Sequence, residues 1–291
     1  MTPGFAVTTP MRAAETNTRP RFVLPPGSCD AHVHVFEPGY PHVPEPLYTF
    51  PDATLDQYQR LAPRLGLERM VLVQPSYYGT DNRLLLDVLS RVGPSCRGVV
   101  QIDADLPDVE LDRFHELGVR ALRLDLFARA AWPAPEIERY IRRMAARAKP
   151  RGWHLQFYSP GTVVRDLLPV LAELEDPFVI DHMGYMLERD GLADSDFEDL
   201  IEVLQLGRCW IKLSGPYRIA KEKPLSSVEP IGRALVGARP DRLIWGSDWP
   251  HLPDGQRDTG ELLNLLAAWA PDPQDRHRIL VDSPDVLFFA D

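Results

Sequence analysis

The stretch Cys29-Asp30-Ala31-His32-Val33-His34-Val35 is an apolar run that ends in two histidines. In a β-strand successive side chains point to opposite faces, so His32 and His34 project the same way. Two imidazoles then stand side by side near the C-terminal end of a first strand. A third histidine follows a short apolar run at Asp181-His182-Met183-Gly184, and an aspartate follows another at Trp245-Gly246-Ser247-Asp248-Trp249-Pro250-His251. A lone histidine on an apolar face is ordinarily a satisfied core residue. Polar residues that stop several strand-like runs instead mark the end at which a barrel of parallel strands keeps its chemistry.

Working outward, residues 36–51 are dense in proline, glycine and aromatics, which predicts a long loop serving as a wall or lid. The pattern then alternates. Helical periodicity over 54–65, 82–92, 109–117, 136–148, 163–173, 197–206, 231–236 and 260–269 separates apolar runs at 70–74, 98–102, 121–124, 153–157, 178–180, 210–213 and 243–245. With the first strand this gives eight β/α units in about 250 residues, the arithmetic of an α/β (β/α)8 TIM barrel. A doubly wound open sheet is the rival, but no Gly-x-Gly-x-x-Gly opens a helix. The chain reads as an N-terminal arm over residues 1–24, extended or flexible, followed by one barrel domain over 25–291.

Composition narrows the function. The 291 residues carry a formal net charge of −10, which argues against nucleic-acid binding, and no apolar run is long enough to span a membrane. Cys29, Cys96 and Cys209 are odd in number and widely spaced, so neither a disulfide framework nor a cysteine zinc cluster is expected, and a reducing cytoplasm is the default. The first residues lack the pattern of a secretory signal. Basic residues are almost all arginine, which suits planar, bidentate recognition of a small anion.

If the barrel holds, the strand ends bring to one mouth His32 and His34, Ser76, Arg123 with Arg129 beyond it, Tyr158, Asp181 and His182, Ser214 with Tyr217 and Arg218, and Asp248. Asp-x-His-x-His, Asp-His-Met-Gly and Trp-Gly-Ser-Asp-Trp-Pro-His together resemble the amidohydrolase superfamily, in its lactone-hydrolysing branch of 2-pyrone-4,6-dicarboxylate lactonases. The resemblance runs from Pro25 to the C-terminus and includes Gly79-Thr80-Asp81-Asn82, the Arg123 to Arg129 segment, Trp153-His154 with Tyr158, and Pro216-Tyr217-Arg218. It implies Asp248 as general base on water and His32, His34 and His182 as an electrophilic cluster. It further implies Arg123, Arg129 and Arg218 as anion clamps, with Ser76, Tyr48 and Tyr158 adding hydrogen bonds. Ester hydrolysis needs such a base and donors aimed at the developing oxyanion.

The same resemblance implies a site that works without a metal. Yet His32, His34, His182 and Asp248 also make a mononuclear zinc set, and the wider superfamily uses metals. Strand four offers Arg123 and no lysine, so a carboxylated lysine bridging two metals has no candidate. Tyr77-Tyr78 and Asp125 stand where the family has smaller or imidazole side chains and an amide, which points to a reshaped pocket and keeps sugar-acid lactonases and lactone isomerases in view. The rival readings are a zinc-dependent relative, including decarboxylases and hydratases of ring-cleavage pathways, and a non-catalytic dicarboxylate-binding barrel. The expected partner is a small anionic lactone, the expected state a monomer or homodimer. His42, His115, His154 and His277 read as structural or solvated, and His251 as a residue orienting its loop. Lys212 reads as an inward-pointing structural residue paired with a carboxylate, Asp30 being the nearest candidate in sequence logic. No Gly-x-Ser-x-Gly elbow supports a serine nucleophile.

Overall fold

The computed structural model describes residues 11–13, 18–46, 48–186, 192–253, 255 and 257–290. Eight parallel strands stand next to one another in chain order: β1 (Cys29–Val33), β2 (Arg69–Val73), β3 (Cys96–Val100), β4 (Val119–Asp125), β5 (His154–Tyr158), β6 (Phe178–Ile180), β7 (Cys209–Leu213) and β8 (Leu243–Trp245). Around them lie α1 (Leu55–Leu65), α2 (Arg83–Val92), α3 (Asp108–Glu116), α4 (Ala134–Ala148), α5 (Gly161–Glu173), α6 (Asp194–Gln205), a short α7 (Pro216–Ala220), α8 (Glu229–Ala238) and α9 (Thr259–Trp269). This is the expected (β/α)8 barrel. Each helix turns an apolar stripe inward, and local chemistry fixes its ends: Thr54 and Gln57 form a reciprocal capping box at the start of α1. Among the described residues no helix is long and apolar enough to cross a membrane.

The barrel closes just past β8. Val33 bridges to Trp249 in parallel; the Asp248 amide donates to the His32 carbonyl (2.9 Å) and the His34 amide to the Trp249 carbonyl (2.8 Å). Gly246 makes the approach possible, because a Cβ there would lie 2.5 Å from the His32 Cβ.

One feature of β1 escapes simple alternation. Cys29, Ala31, Val71, Val73, Ala121 and Trp210 share the barrel interior, so an unbroken strand would send Val33 inward and both histidines out. The register against β2 slips by one residue between Asp30 and Val33, a β-bulge, and this re-aims His32 and His34 into the barrel. The histidines do share a face, as the spacing predicts, but the bulge decides which face.

The chain ends contribute as well. Met11–Arg12 pairs in parallel with Pro51–Asp52, and residues 18–21 run along α9, where the Thr18 amide donates to Asp258 and the Arg21 amide to Asn264. Beyond α9 the sequence reading expects no further element. The structure has a helical turn, α10 (Pro273–His277), and two wider turns at Arg278–Asp282 and Asp285–Phe289. Phe288 stops the foot of the barrel edge-on against His154 (centroids 4.9 Å apart), and Phe289 lies between the guanidiniums of Arg69 and Arg97.

Closure over Gly246 gives a direct expectation. Gly246→Ala forces overpacking against His32, and urea unfolding is expected to register a loss of about 3 kcal/mol.

Candidate active site

Asp248 sits at φ 60°, a left-handed conformation that few non-glycine residues adopt. It is held there by the closure hydrogen bonds and by its own carboxylate. Oδ2 accepts from the Tyr217 hydroxyl (2.5 Å) and from Arg218 Nε (2.6 Å), both delivered by α7. Oδ1 has no hydrogen-bond partner although it is buried, and it faces His34 Nε2 at 3.5 Å and His32 Nε2 at 3.7 Å. One oxygen is therefore clamped and the other is offered to the cluster. Burial works to raise the Asp248 pKa, but Arg218 and the neighbouring imidazoles override it and hold the carboxyl well below the usual range.

The two paired imidazoles meet through their Nε2 atoms at 3.2 Å. His34 Nδ1 lies 2.7 Å from the Val73 carbonyl, which can only accept, so this nitrogen carries the proton. His182 follows Asp181 in a run of left-handed residues (His182 φ 53°, Met183 φ 52°, Tyr185 φ 54°), a concentration of backbone strain of the kind found at functional sites. Its ring lies 4.8 Å from that of His32, and its Nδ1 is 2.8 Å from the Ser214 hydroxyl. Gly215 permits this, since a Cβ there would come within 2.7 Å of His182 Nδ1. Burial pushes all three histidines down, His182 to about 4, so each is neutral near pH 7.

Beneath the histidines lies a fully buried polar layer. Lys212 donates to the Ala31 carbonyl (2.8 Å) and to Gln156 Oε1 (2.8 Å), and Gln156 Nε2 donates to Asp181 Oδ2 (3.1 Å). The carboxylate facing Lys212 is Asp181, at 3.6 Å, and this corrects the expectation of Asp30. Asp30 precedes the bulge and points outward, where it accepts from the Tyr58 hydroxyl and from the amides of His32 and Ser247. Burial draws the Lys212 ammonium down to about 8. Asp181, which burial would raise, is kept well below the usual range by Lys212 and His32.

The anion-binding candidates divide. Arg123 is buried, lies over the Tyr158 ring (4.3 Å) and donates to the Gln74 carbonyl (2.9 Å), while its Nε makes no hydrogen bond and faces Asp181 Oδ2 at 3.9 Å. Arg218 keeps part of its side chain exposed (16%) while gripping Asp248. The Tyr48 hydroxyl is within electrostatic reach of Arg123, Arg218 and Tyr158. Arg129 turns away from the histidines: it donates to the Asp125 carbonyl (2.8 Å) and packs on Tyr140 and Trp132, because it lies four residues past the strand end. The Ser76 hydroxyl is engaged by the Asp125 carboxylate, so the pair forms one polar corner. Tyr217, expected at the mouth, reaches it through its hydrogen bond to Asp248, and Tyr185, whose hydroxyl bonds that of Tyr158, joins the site without having been singled out from sequence. Tyr185 follows a strand end inside an irregular turn, where no periodicity points to a facing direction.

Among the described residues, two groups of donors could hold a metal ion: His32, His34 and Asp248, and His32, Asp181 and His182. Of the expected set of four, His182 groups with His32 and Asp181, not with His34 and Asp248. In the first group, separations of 3.2, 3.5 and 3.7 Å lie close to the roughly 3.3 Å edge of a tetrahedron with bonds of about 2.0–2.1 Å. These residues fit one zinc-like ion.

The family model described as "Amidohydrolase" matches residues 29–289. The chain belongs to the amidohydrolase family. This amidohydrolase is 35% identical over 274 residues to 4-sulfomuconolactone hydrolase of Rhizobium radiobacter, covering 92% of this chain and 91% of that one. It is 33% identical over 286 residues to 2-pyrone-4,6-dicarboxylate hydrolase of Comamonas testosteroni, covering 94% and 93%. Among solved structures, one of a probable 2-pyrone-4,6-dicarboxylic acid hydrolase from Acinetobacter baumannii, with citric acid bound, superposes with a TM-score of 0.78 at 26% identity over 90% of this chain and 99% of that one.

The buried imidazoles set the stability of this amidohydrolase against pH. His32, His34, His182 and His154, the last lowered to about 3 by burial, are neutral in the fold, whereas in the unfolded chain they protonate below about pH 6.5. The unfolded state therefore gains protons first as pH falls, and stability falls with it. Asp30, raised to about 6 by burial, acts in the opposite sense but alone against four. Thermal or urea unfolding at pH 5 is expected to show stability lower than at pH 7.5 by several kcal/mol.

Proposed function

We propose that the protein is a hydrolase that opens a carboxylated lactone, such as 2-pyrone-4,6-dicarboxylate or a close analogue, by water attack on the ring carbonyl. The observation that carries this reading is the divided carboxylate of Asp248, one oxygen clamped by Tyr217 and Arg218 and the other free beside paired imidazoles. Lactone-hydrolase relatives at 35% and 33% identity across more than nine-tenths of the chain support it, as does the citrate in the Acinetobacter structure. A water held by Asp248 Oδ1 gives up its proton as its oxygen bonds to the carbonyl carbon. Donors from the histidine cluster steady the oxyanion, and collapse breaks the ring C–O bond. The proton taken by Asp248 then passes to the departing oxygen, leaving a carboxylate and a hydroxyl or enol. Arg123 and Arg218 balance the substrate's carboxylates, with Tyr48 and Tyr158 as further donors and a reducing cytoplasm as the setting.

The proposed reaction needs no metal. A second reading has one ion held by His32, His34 and Asp248, favoured by the tetrahedral spacing of their donor atoms. When bound, it would supply Lewis-acid polarisation of the carbonyl.

Asp248→Asn is expected to lower kcat at least about 1,000-fold in a ring-opening assay while isothermal titration still detects substrate binding. Ordinary activity in that variant would remove the base assignment. Arg123→Met is expected to raise KM at least about tenfold. Metal analysis of active protein, with assays after chelation, separates the two readings: activity tracking zinc content selects the second.

A further inference from the structure

The strand that carries Arg123 also brings a carboxylate to the same face. Ala121, Arg123 and Asp125 alternate along β4, and Ala121 belongs to the barrel interior, so all three point inward. The register against β5 sets Asp125 beside Tyr158, whose ring stands edge-on to that of His182 (centroids 5.9 Å apart) and lies under the Arg123 guanidinium. Asp125 is therefore at the rim of the site. Its Oδ1 accepts from the Ala128 amide (3.1 Å), and its Oδ2 accepts from the Ser76 hydroxyl just past β2. A serine hydroxyl has one hydrogen. With that hydrogen on Asp125, Ser76 Oγ has only lone pairs left for a ligand, and so has the carboxylate. The corner accepts and does not donate. Arg129 leaves this unchanged, because its guanidinium donates to the Asp125 carbonyl and packs on Tyr140 and Trp132. Tyr48 stacks on Tyr77, next to Ser76 (centroids 5.7 Å apart), and its hydroxyl is within electrostatic reach of Arg123, Arg218 and Tyr158, so the corner and the arginines border one space.

We propose that Asp125 is a specificity residue, and that the substrate is a lactone which meets Arg123 and Arg218 with a carboxylate and the corner of Ser76 and Asp125 with a hydroxyl group. This rests on the lactone-hydrolase reading and narrows its carboxylated lactones to those with one carboxylate and a hydroxyl. A substrate hydroxyl brings the hydrogen that the corner lacks, and its bond to a carboxylate is of the strong, charge-assisted kind. A second carboxylate there sets lone pairs and negative charge against those of Asp125, where little water intervenes. Asparagine at this position reverses the corner: Oδ1 still accepts from Ala128, Nδ2 donates to Ser76 Oγ, and the serine hydrogen is released toward a carboxylate.

The test compares ligands that differ at one group: 2-pyrone-4,6-dicarboxylate and the two analogues in which one or the other carboxylate is replaced by hydroxymethyl. For the better analogue, the ratio of its kcat/KM to that of the dicarboxylate is expected to fall at least about tenfold in Asp125→Asn, because a repulsion and a hydrogen bond both change hands. Comparing ratios between the two proteins cancels the intrinsic reactivity of the rings. A smaller change overturns the proposal. Isothermal titration of the wild type with pyridine-2,4-dicarboxylate and its two hydroxymethyl counterparts, none of which can be hydrolysed, makes the same comparison in binding. One hydroxymethyl compound is expected to bind more tightly than the dicarboxylate. A dicarboxylate that binds at least as tightly as either counterpart overturns the proposal even where the variant does not fold. Should the wild type open none of the three lactones, the proposed function falls, and the titrations alone then decide what Asp125 selects.

Discussion

Two backbone hydrogen bonds, from the Asp248 amide to the His32 carbonyl and from the His34 amide to the Trp249 carbonyl, join segments more than 200 residues apart and make the sheet a barrel. They also bring Asp248 Oδ1, a buried carboxylate oxygen without a hydrogen-bond partner, against the paired imidazoles. Closure and site are one event. Gly246 is where the two requirements meet, since any side chain there would hold the seam open at the level of His32. The β1 bulge is the other half of the construction: without the extra residue, the same sequence would present Val33 to the interior and bury the imidazoles among the helices.

Below the seam the interior changes character by layers. At the foot it is apolar, with Cys29, Val71, Trp210 and the inserted Phe288. In the middle, Lys212 donates to Gln156, Gln156 donates to Asp181, and Lys212 and Asp181 face each other at 3.6 Å, so that the buried charges are of opposite sign and adjacent. At the mouth the arginines and tyrosines gather. Water is kept from the lower two layers, so the electrostatic pull of Arg218 on Asp248 and of Lys212 on Asp181 is stronger than the same pairs would feel at a surface.

Much of this was legible in the chain itself. The 3.6-residue and two-residue periodicities located all eight strands and their helices, because in a barrel burial and secondary structure follow the same rhythm. His32, His34, His182 and Asp248 converge because each ends a strand, which is a topological fact independent of detailed geometry. What escaped depended on direction. Arg129 and Ser76 are near the mouth in sequence, yet the first turns onto Tyr140 and the second onto Asp125. Tyr185 enters the site through a left-handed turn that no propensity marks. The partner of Lys212 was misassigned because alternation breaks at the bulge, and a single inserted residue exchanges inside for outside. The turns after α10 were missed for a plainer reason: their apolar residues pack end-on under the barrel and show neither period.

The buried lysine, glutamine and aspartate beneath His32 occupy space that leucine or methionine would fill at lower free energy, since well-packed apolar replacements of buried ion pairs are often neutral or stabilising. Directed evolution toward heat resistance, screened only for surviving fold, would therefore drift toward an oily plug at this depth. The molecules it enriched would be hardier barrels with idle imidazoles. Selection for turnover must be what maintains the polar layer, and its place in the chain marks where durability and chemistry pull in opposite directions.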